Sequence, residues 1–257
     1  MNTPKLCLHA GASEVERQML TTIVLPEETK SYCPVGHAPL LDLVEDQMRE
    51  VGFRFGTEAH SLTKDGARYF GIIQLLNGID MASEQHALVM GLRNSYDKSF
   101  PAALAFGSHV FVCDNLAFTG EVTISRRHTV NVWRDLPALI TSAVSQTKVM
   151  AHNQTLRFEH YQESKIKGNI ADHLIVEMLR QGIVNTSRVE KVVKEWDEPS
   201  HDFGGRTAWR LFNAATEALK GSPLPQMPQR TITLQALLDQ VTDFVPTIID
   251  GEAVRVH

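Results

Sequence analysis

Three short polar runs between Gly91 and Thr129 carry the residue types that do chemistry. The first, Arg93-Asn94-Ser95-Tyr96-Asp97-Lys98-Ser99, sets two cations around a turn-forming core. Exposed backbone N–H groups beside two cations make a small anion site, as turn nests do. The plain alternative is a strand-to-strand turn, since Asn, Asp and Ser hydrogen-bond nearby backbone. The second run, Cys113-Asp114-Asn115, closes the apolar stretch 102–113. An Asp there can hold a divalent metal or act as a general base, and it can equally end a strand in a turn. Cys113 reads as a small buried hydrophobe; as a nucleophile it would need His128 for its base. The third run, Arg126-Arg127-His128-Thr129, is the strongest charge feature of the chain. On a strand, Arg126 and His128 would share one face and Arg127 would take the other. Adjacent guanidiniums suit phosphate, and they also suit a solvated edge strand guarded by charge.

Other motifs are weaker. Cys33-Pro34-Val35-Gly36-His37 has the look of a zinc half-site, but no second ligand pair stands near it, so a turn entering a helix is expected. Gly204-Gly205-Arg206 could meet an anion at a helix N-terminus, or simply be a flexible turn before a core helix. The P-loop, dinucleotide fingerprint, G-x-S-x-G and paired zinc patterns are all missing from the sequence, which leaves the common nucleotide, hydrolase and zincin readings without support.

The totals bound what these runs can do. At 257 residues, 43% hydrophobic and 21% charged, the chain can bury a sizeable core. A net charge of −5 counts mildly against non-specific coating of nucleic acid, unless positive charge gathers on one face. Three widely spaced cysteines do not suggest a disulfide framework. No apolar run approaches a membrane span, and the first residues do not read as a secretory leader, so a cytoplasmic location with no membrane partner is expected.

The elements that must position the polar runs are α+β in class. Apolar spacing predicts a helix over 39–51, with Pro39 in its first turn. From Phe53 the period shifts to two, and a turn at 63–66 makes 53–60 and 67–76 a hairpin. Further strands are expected at 86–92, 102–113 and 122–125, giving an antiparallel, hairpin-rich sheet of four to five strands. The remainder reads as helical: a long helix from Leu136 capped by Asp135 and running to about residue 165, then helices over 169–182, 186–196, 206–220 and 233–244. The prolines of 222–229 read as a linker. The expected division is an N-terminal segment over 1–36, an α+β core over 37–165, and a helical region over 166–257 packed on that core.

The blocks GLRNSYDKSFPAALAFGSHVFVCDN, RRHT and GGRTAWRLFNAATEAL, in that order, resemble the phage/plasmid-like family known as domain of unknown function 932. The likeness runs from about residue 36 to residue 241. It implies residence on phages, prophages and plasmids, and the cytoplasm of a bacterial host; it assigns no activity. In outline the architecture is also similar to single-strand annealing proteins, a likeness of fold alone. The favoured reading is therefore a nucleic-acid-binding protein of a mobile element, related to single-strand annealing or recombination and able to form homo-oligomers. Arg93, Lys98, Arg126, Arg127 and His128 would neutralise phosphates in a groove, while Tyr96 or Phe100 stack on bases. Asn94, Asp97, Cys113, Asp114 and Asn115 are the further polar candidates. The alternatives are a structural protein that binds a host factor, and a metal-dependent phosphoesterase. In that last case Asp97 and Asp114 would hold a divalent ion and His128 would serve as base or ligand. No catalytic residue, resident metal or other cofactor is assigned by the residues themselves, and the balance leans away from an enzyme.

Overall fold

The computed structural model describes residues 12–77, 86–110, 115–222 and 226–246. Its architecture is set by apolar runs too long for one-sided strands. Ile72-Ile73 and Leu88-Val89-Met90 are all buried, as happens when both faces of a sheet are covered. The sheet is a six-stranded antiparallel meander whose strands pair in chain order. They are β1 (Ala12–Val15), β2 (Phe53–Thr63), β3 (Arg68–Asn77), β4 (His86–Ser95), β5 (Ala102–Val110) and β6 (Asn115–Arg126). The helices are α1 (His37–Glu50), α2 (Val132–Glu163), α3 (Gly168–Arg180), α4 (Thr186–Asp197), α5 (Ala208–Leu219) and α6 (Met227–Thr242). The fold is thus α+β, a sheet in the N-terminal half followed by a mainly helical C-terminal half.

Each face of the sheet meets its own helical layer. Tyr69, Ile73, Met90, Leu92 and Leu104 pack with Leu41, Val44 and Met48 of α1 and with Leu136, Ile140 and Val144 of α2. Phe70, Ile72 and Val89 face the other way, against Phe158 and Tyr161 of α2 and the buried faces of α3 to α6. Helix α2, 32 residues long and so about 48 Å at ~1.5 Å per residue, contributes to both clusters and ties the layers together. Its far end is fixed by a buried ion pair, Arg157 Nε to Asp239 Oδ1 of α6 at 3.0 Å, and by the Tyr161 hydroxyl donating to the same carboxylate.

The structure adds to the sequence reading in four places. A sixth strand, β1, pairs with β2 from within the N-terminal segment; its four residues, two exposed and two half-buried, leave no apolar alternation to detect. β6 begins at Asn115, so the expected run 122–125 is only its C-terminal part. α2 begins at Val132 with Asn131 as its cap, a turn before Asp135. α6 begins at Met227, because Pro228 sits in the first turn, where a missing N–H costs nothing.

One close approach shapes the sheet interior. A Cβ on Gly71 would lie 2.2 Å from the Tyr69 hydroxyl and 3.2 Å from His60 Nδ1. That empty position lets the buried Tyr69 hydroxyl reach His60 Nδ1 at 2.9 Å. Gly71→Ala is expected to lower the urea midpoint by the equivalent of ~1–3 kcal/mol, the usual cost of overpacking; the Tyr69→Phe/Gly71→Ala double variant should lose less than the two single changes summed.

Candidate functional site

The end of β4 sends consecutive side chains to opposite faces, Arg93 one way and Asn94 the other. Asn94 is fully buried. Its Nδ2 donates to the Val35 carbonyl at 2.6 Å and to His37 Nδ1 at 3.0 Å. His37 Nε2 lies 3.0 Å from the Gly66 carbonyl in the β2–β3 turn. A carbonyl can only accept and an amide nitrogen can only donate, so the network assigns His37 the neutral tautomer with its proton on Nε2. The His37 ring lies flat on Tyr96, centroids 3.9 Å apart and planes 2° from parallel. The Tyr96 hydroxyl accepts from the His37 backbone N–H, capping a helix whose Gly36 cap has no side chain to offer. Burial drives the His37 pKa down to about 4. Cys33 and His37 of the apparent zinc half-site are therefore spoken for: the thiol contacts Glu28 Oε1, and both imidazole nitrogens hold backbone and amide partners.

The turn after β4 points toward a second group. Asp97 accepts from the Ser99 backbone N–H and from Arg68 Nε at 2.6 Å. Partial burial opposes ionisation, but the bonds from Ser99 and Arg68 hold its carboxyl below the usual range. Lys98 takes a left-handed backbone, φ 62°, and its ammonium sits 4.4 Å above the Tyr32 ring. Tyr32 stacks on His128 with centroids 5.8 Å apart, and the Cys33 N–H donates to the His128 carbonyl. His128 is buried and its ring nitrogens have no hydrogen-bond partner; burial lowers its pKa. Contact by contact, Lys98, Tyr32 and His128 thus tie the 95–101 turn to the loop that leaves β6.

That loop leads into the first turn of α2. Arg126 is paired with Asp135, which also accepts from Arg134 Nε at 2.9 Å. Arg127 is exposed, Arg134 is 72% exposed and Trp133 is 39% exposed. One carboxylate thus serves two guanidiniums, and a partly exposed aromatic ring neighbours Arg134 in the first turn of α2.

Of the five cations expected to line one groove, Lys98, Arg126, Arg127 and His128 belong to this corner, and Arg93 does not. Arg93 lines a cavity on the opposite face of the sheet. The aromatics expected to stack on bases are engaged elsewhere: Tyr96 lies under His37, and Phe100 packs on Phe70 with ring centroids 5.1 Å apart. Asn115 opens β6 opposite Val110. Cys113 and Asp114 lie outside the described residues. Among the described residues, no cluster of three or more His, Cys, Asp or Glu side chains could hold a metal ion. Trp133 and Arg134 are the residues the sequence reading missed. The signal was present: Trp133 falls off the buried stripe Val132, Leu136, Ile140 and Ala143.

Over residues 25–236 the sequence matches a family described as Domain of unknown function (DUF932). The chain belongs to that family. No curated protein and no solved structure matched it. Within this DUF932 domain both polar centres, the Asn94–His37 node and the β6–α2 corner, lie inside the matched span. None of its helices, among the described residues, is long and apolar enough to cross a membrane.

The node carries two expected outcomes. Asn94→Ala strands the Val35 carbonyl and His37 Nδ1, and should cost ~1–3 kcal/mol in urea unfolding. Acid should act through His37: below its ordinary pKa near 6.5 the unfolded chain takes up a proton that the folded site refuses down to about 4. Stability from this group is present above pH 6.5 and is lost as pH falls toward 4, by on the order of 3 kcal/mol in full. Unfolding curves between pH 7 and pH 4.5 should show that slope, and His37→Gln should reduce it, leaving the part owed to the buried His60 and His128.

Proposed function

We propose that this DUF932 protein binds single-stranded nucleic acid at the β6–α2 corner, in the annealing or recombination of mobile DNA that its phage- and plasmid-like resemblance suggests. The observation that carries the reading is Trp133, an exposed ring in the first turn of α2, next to the exposed Arg134 and six residues after the exposed Arg127. An exposed ring with cations close to it in the chain suits single-strand binding, because every base offers a π-face and every nucleotide a phosphate. Arg126 and Arg134 share one carboxylate, Asp135, and Arg127 is exposed nearby in sequence, so cations outnumber carboxylates in this stretch of a chain whose net charge is −5. Lys98 extends the cationic surface through Tyr32 and His128. Of the residues named for the metal-dependent alternative, Asp97 is held by Arg68 and Ser99 and His128 is packed on Tyr32, while Asp114 lies outside the described residues.

Fluorescence anisotropy of a labelled oligothymidylate at ~50 mM salt, where phosphate contacts are strong, tests the reading. Trp133→Ala should weaken binding by ~1–3 kcal/mol, the worth of one stacked base. Arg127→Gln and Arg134→Gln should each reduce the slope of log affinity against log salt by about one phosphate contact. Unmeasurable binding of the wild-type protein, or equal binding by all three variants, defeats it.

A further inference from the structure

On the sheet face away from α1, a cavity of about 300 Å³ opens between β4, β5 and the start of α6. Its floor exists because the sheet carries small residues there. Gly91 pairs with Ala105, and Arg93 with Ala103, in the β4–β5 register. Directly opposed residues share a face, so three positions without long side chains surround one arginine. Pro228 and Ile232 of α6 form the opposite wall.

Arg93 is what makes the space more than a packing gap. Its Nε is buried and has no hydrogen-bond partner, and among the described residues no carboxylate pairs with it. The guanidinium lies over Phe100, 5.5 Å from the ring centroid, which offsets part of its desolvation. Arginine cannot escape burial by losing its proton. A half-buried guanidinium whose Nε has no partner, facing a mainly apolar cavity, therefore favours an anionic partner, since unpaired burial of charge is costly. Pockets of this size suit small ligands that bury an apolar body and anchor it with a few polar groups.

We propose that this cavity binds a small organic anion, an aryl or alkyl carboxylate or phosphate monoester. The anionic head pairs with Arg93, which presents the fork geometry that such oxygens match. The apolar body fills the space over Gly91, Ala103 and Ala105, against Ile232. The Ser125 side chain shares this face through its pairing with Ala103 and supplies a hydroxyl beside the head. This site lies across the sheet from the nucleic-acid corner, and its occupancy does not depend on that reading.

Calorimetry with 4-phenylbutyrate, phenyl phosphate, inorganic phosphate and the neutral 4-phenylbutanol tests it. At least one of the two organic anions should bind the wild-type protein, and whichever is tighter identifies the head group. The neutral alcohol and inorganic phosphate should each bind about tenfold or more weakly, since charge-assisted pairs and apolar burial both contribute. Arg93→Gln should weaken the anion by a similar factor, and Ala105→Leu, which fills the floor, should abolish binding while leaving oligothymidylate affinity unchanged. Thermal melts identify any variant that fails to fold; the Ala105→Leu arm and the neutral-ligand comparison do not need Arg93 to be changed. Binding of neither organic anion, equal binding of the neutral alcohol, or full retention in both variants overturns the proposal.

Discussion

The pleat of β4 is the constraint on which the rest of this structure depends. Successive residues of a strand must point to opposite faces, and here each face is sealed by its own helical layer. Asn94 is therefore committed to the α1 side, where its amide fastens Val35 and His37, and Arg93 is committed to the α6 side, where it meets the cavity. A slip of one residue in the β3–β4 register would exchange them. It would place a guanidinium against the Tyr69–His37 cluster and an amide in the apolar floor, so the polar dipeptide helps enforce the register that the apolar residues prefer.

Much of the frame was legible because it rests on short-range rules. The period-two alternation from Phe53, the glycine of the 63–66 turn and the prolines entering helices all act within a few residues. β1 was not legible, since an edge strand of four residues, none of them buried, owes its existence to its partner. The start of α6 was misread because three prolines between 222 and 229 look like a linker until one of them is seen to occupy a first helical turn. Of the candidate site, the cations of the β6–α2 loop were visible as residue types. Their partners were not: the Tyr32–His128 stack joins residues ninety-six positions apart, and no spacing rule reaches that far. Arg93 was singled out for the right reason, its charge, and assigned to the wrong surface, because nothing before the fold says which face a charged residue takes when both are buried.

Charge in this chain is distributed by local pairing more than by totals. Arg17 meets Asp42, Glu45 and Glu58, binding the segment after β1 to α1 and β2. At the β6–α2 corner the ratio is inverted, with Asp135 shared between Arg126 and Arg134. Where cations outnumber carboxylates locally, an acidic protein still presents an attractive field to negative charge, since the surface potential follows the local distribution and not the total.

The meander has a consequence for how the chain is made. Every strand pairs with its sequence neighbour, so hairpins can close one after another as a ribosome delivers them. The helical layers do not arrive in that order. α1 precedes the strands it covers, whereas Phe70, Ile72 and Val89 await α5 and α6, more than a hundred residues downstream. At ~5–20 residues per second, that apolar face stands bare for several seconds or longer in every newborn copy. During that interval the half-built sheet presents a sticky surface, and a holdase chaperone that shields it until α6 emerges would raise the yield of folded protein.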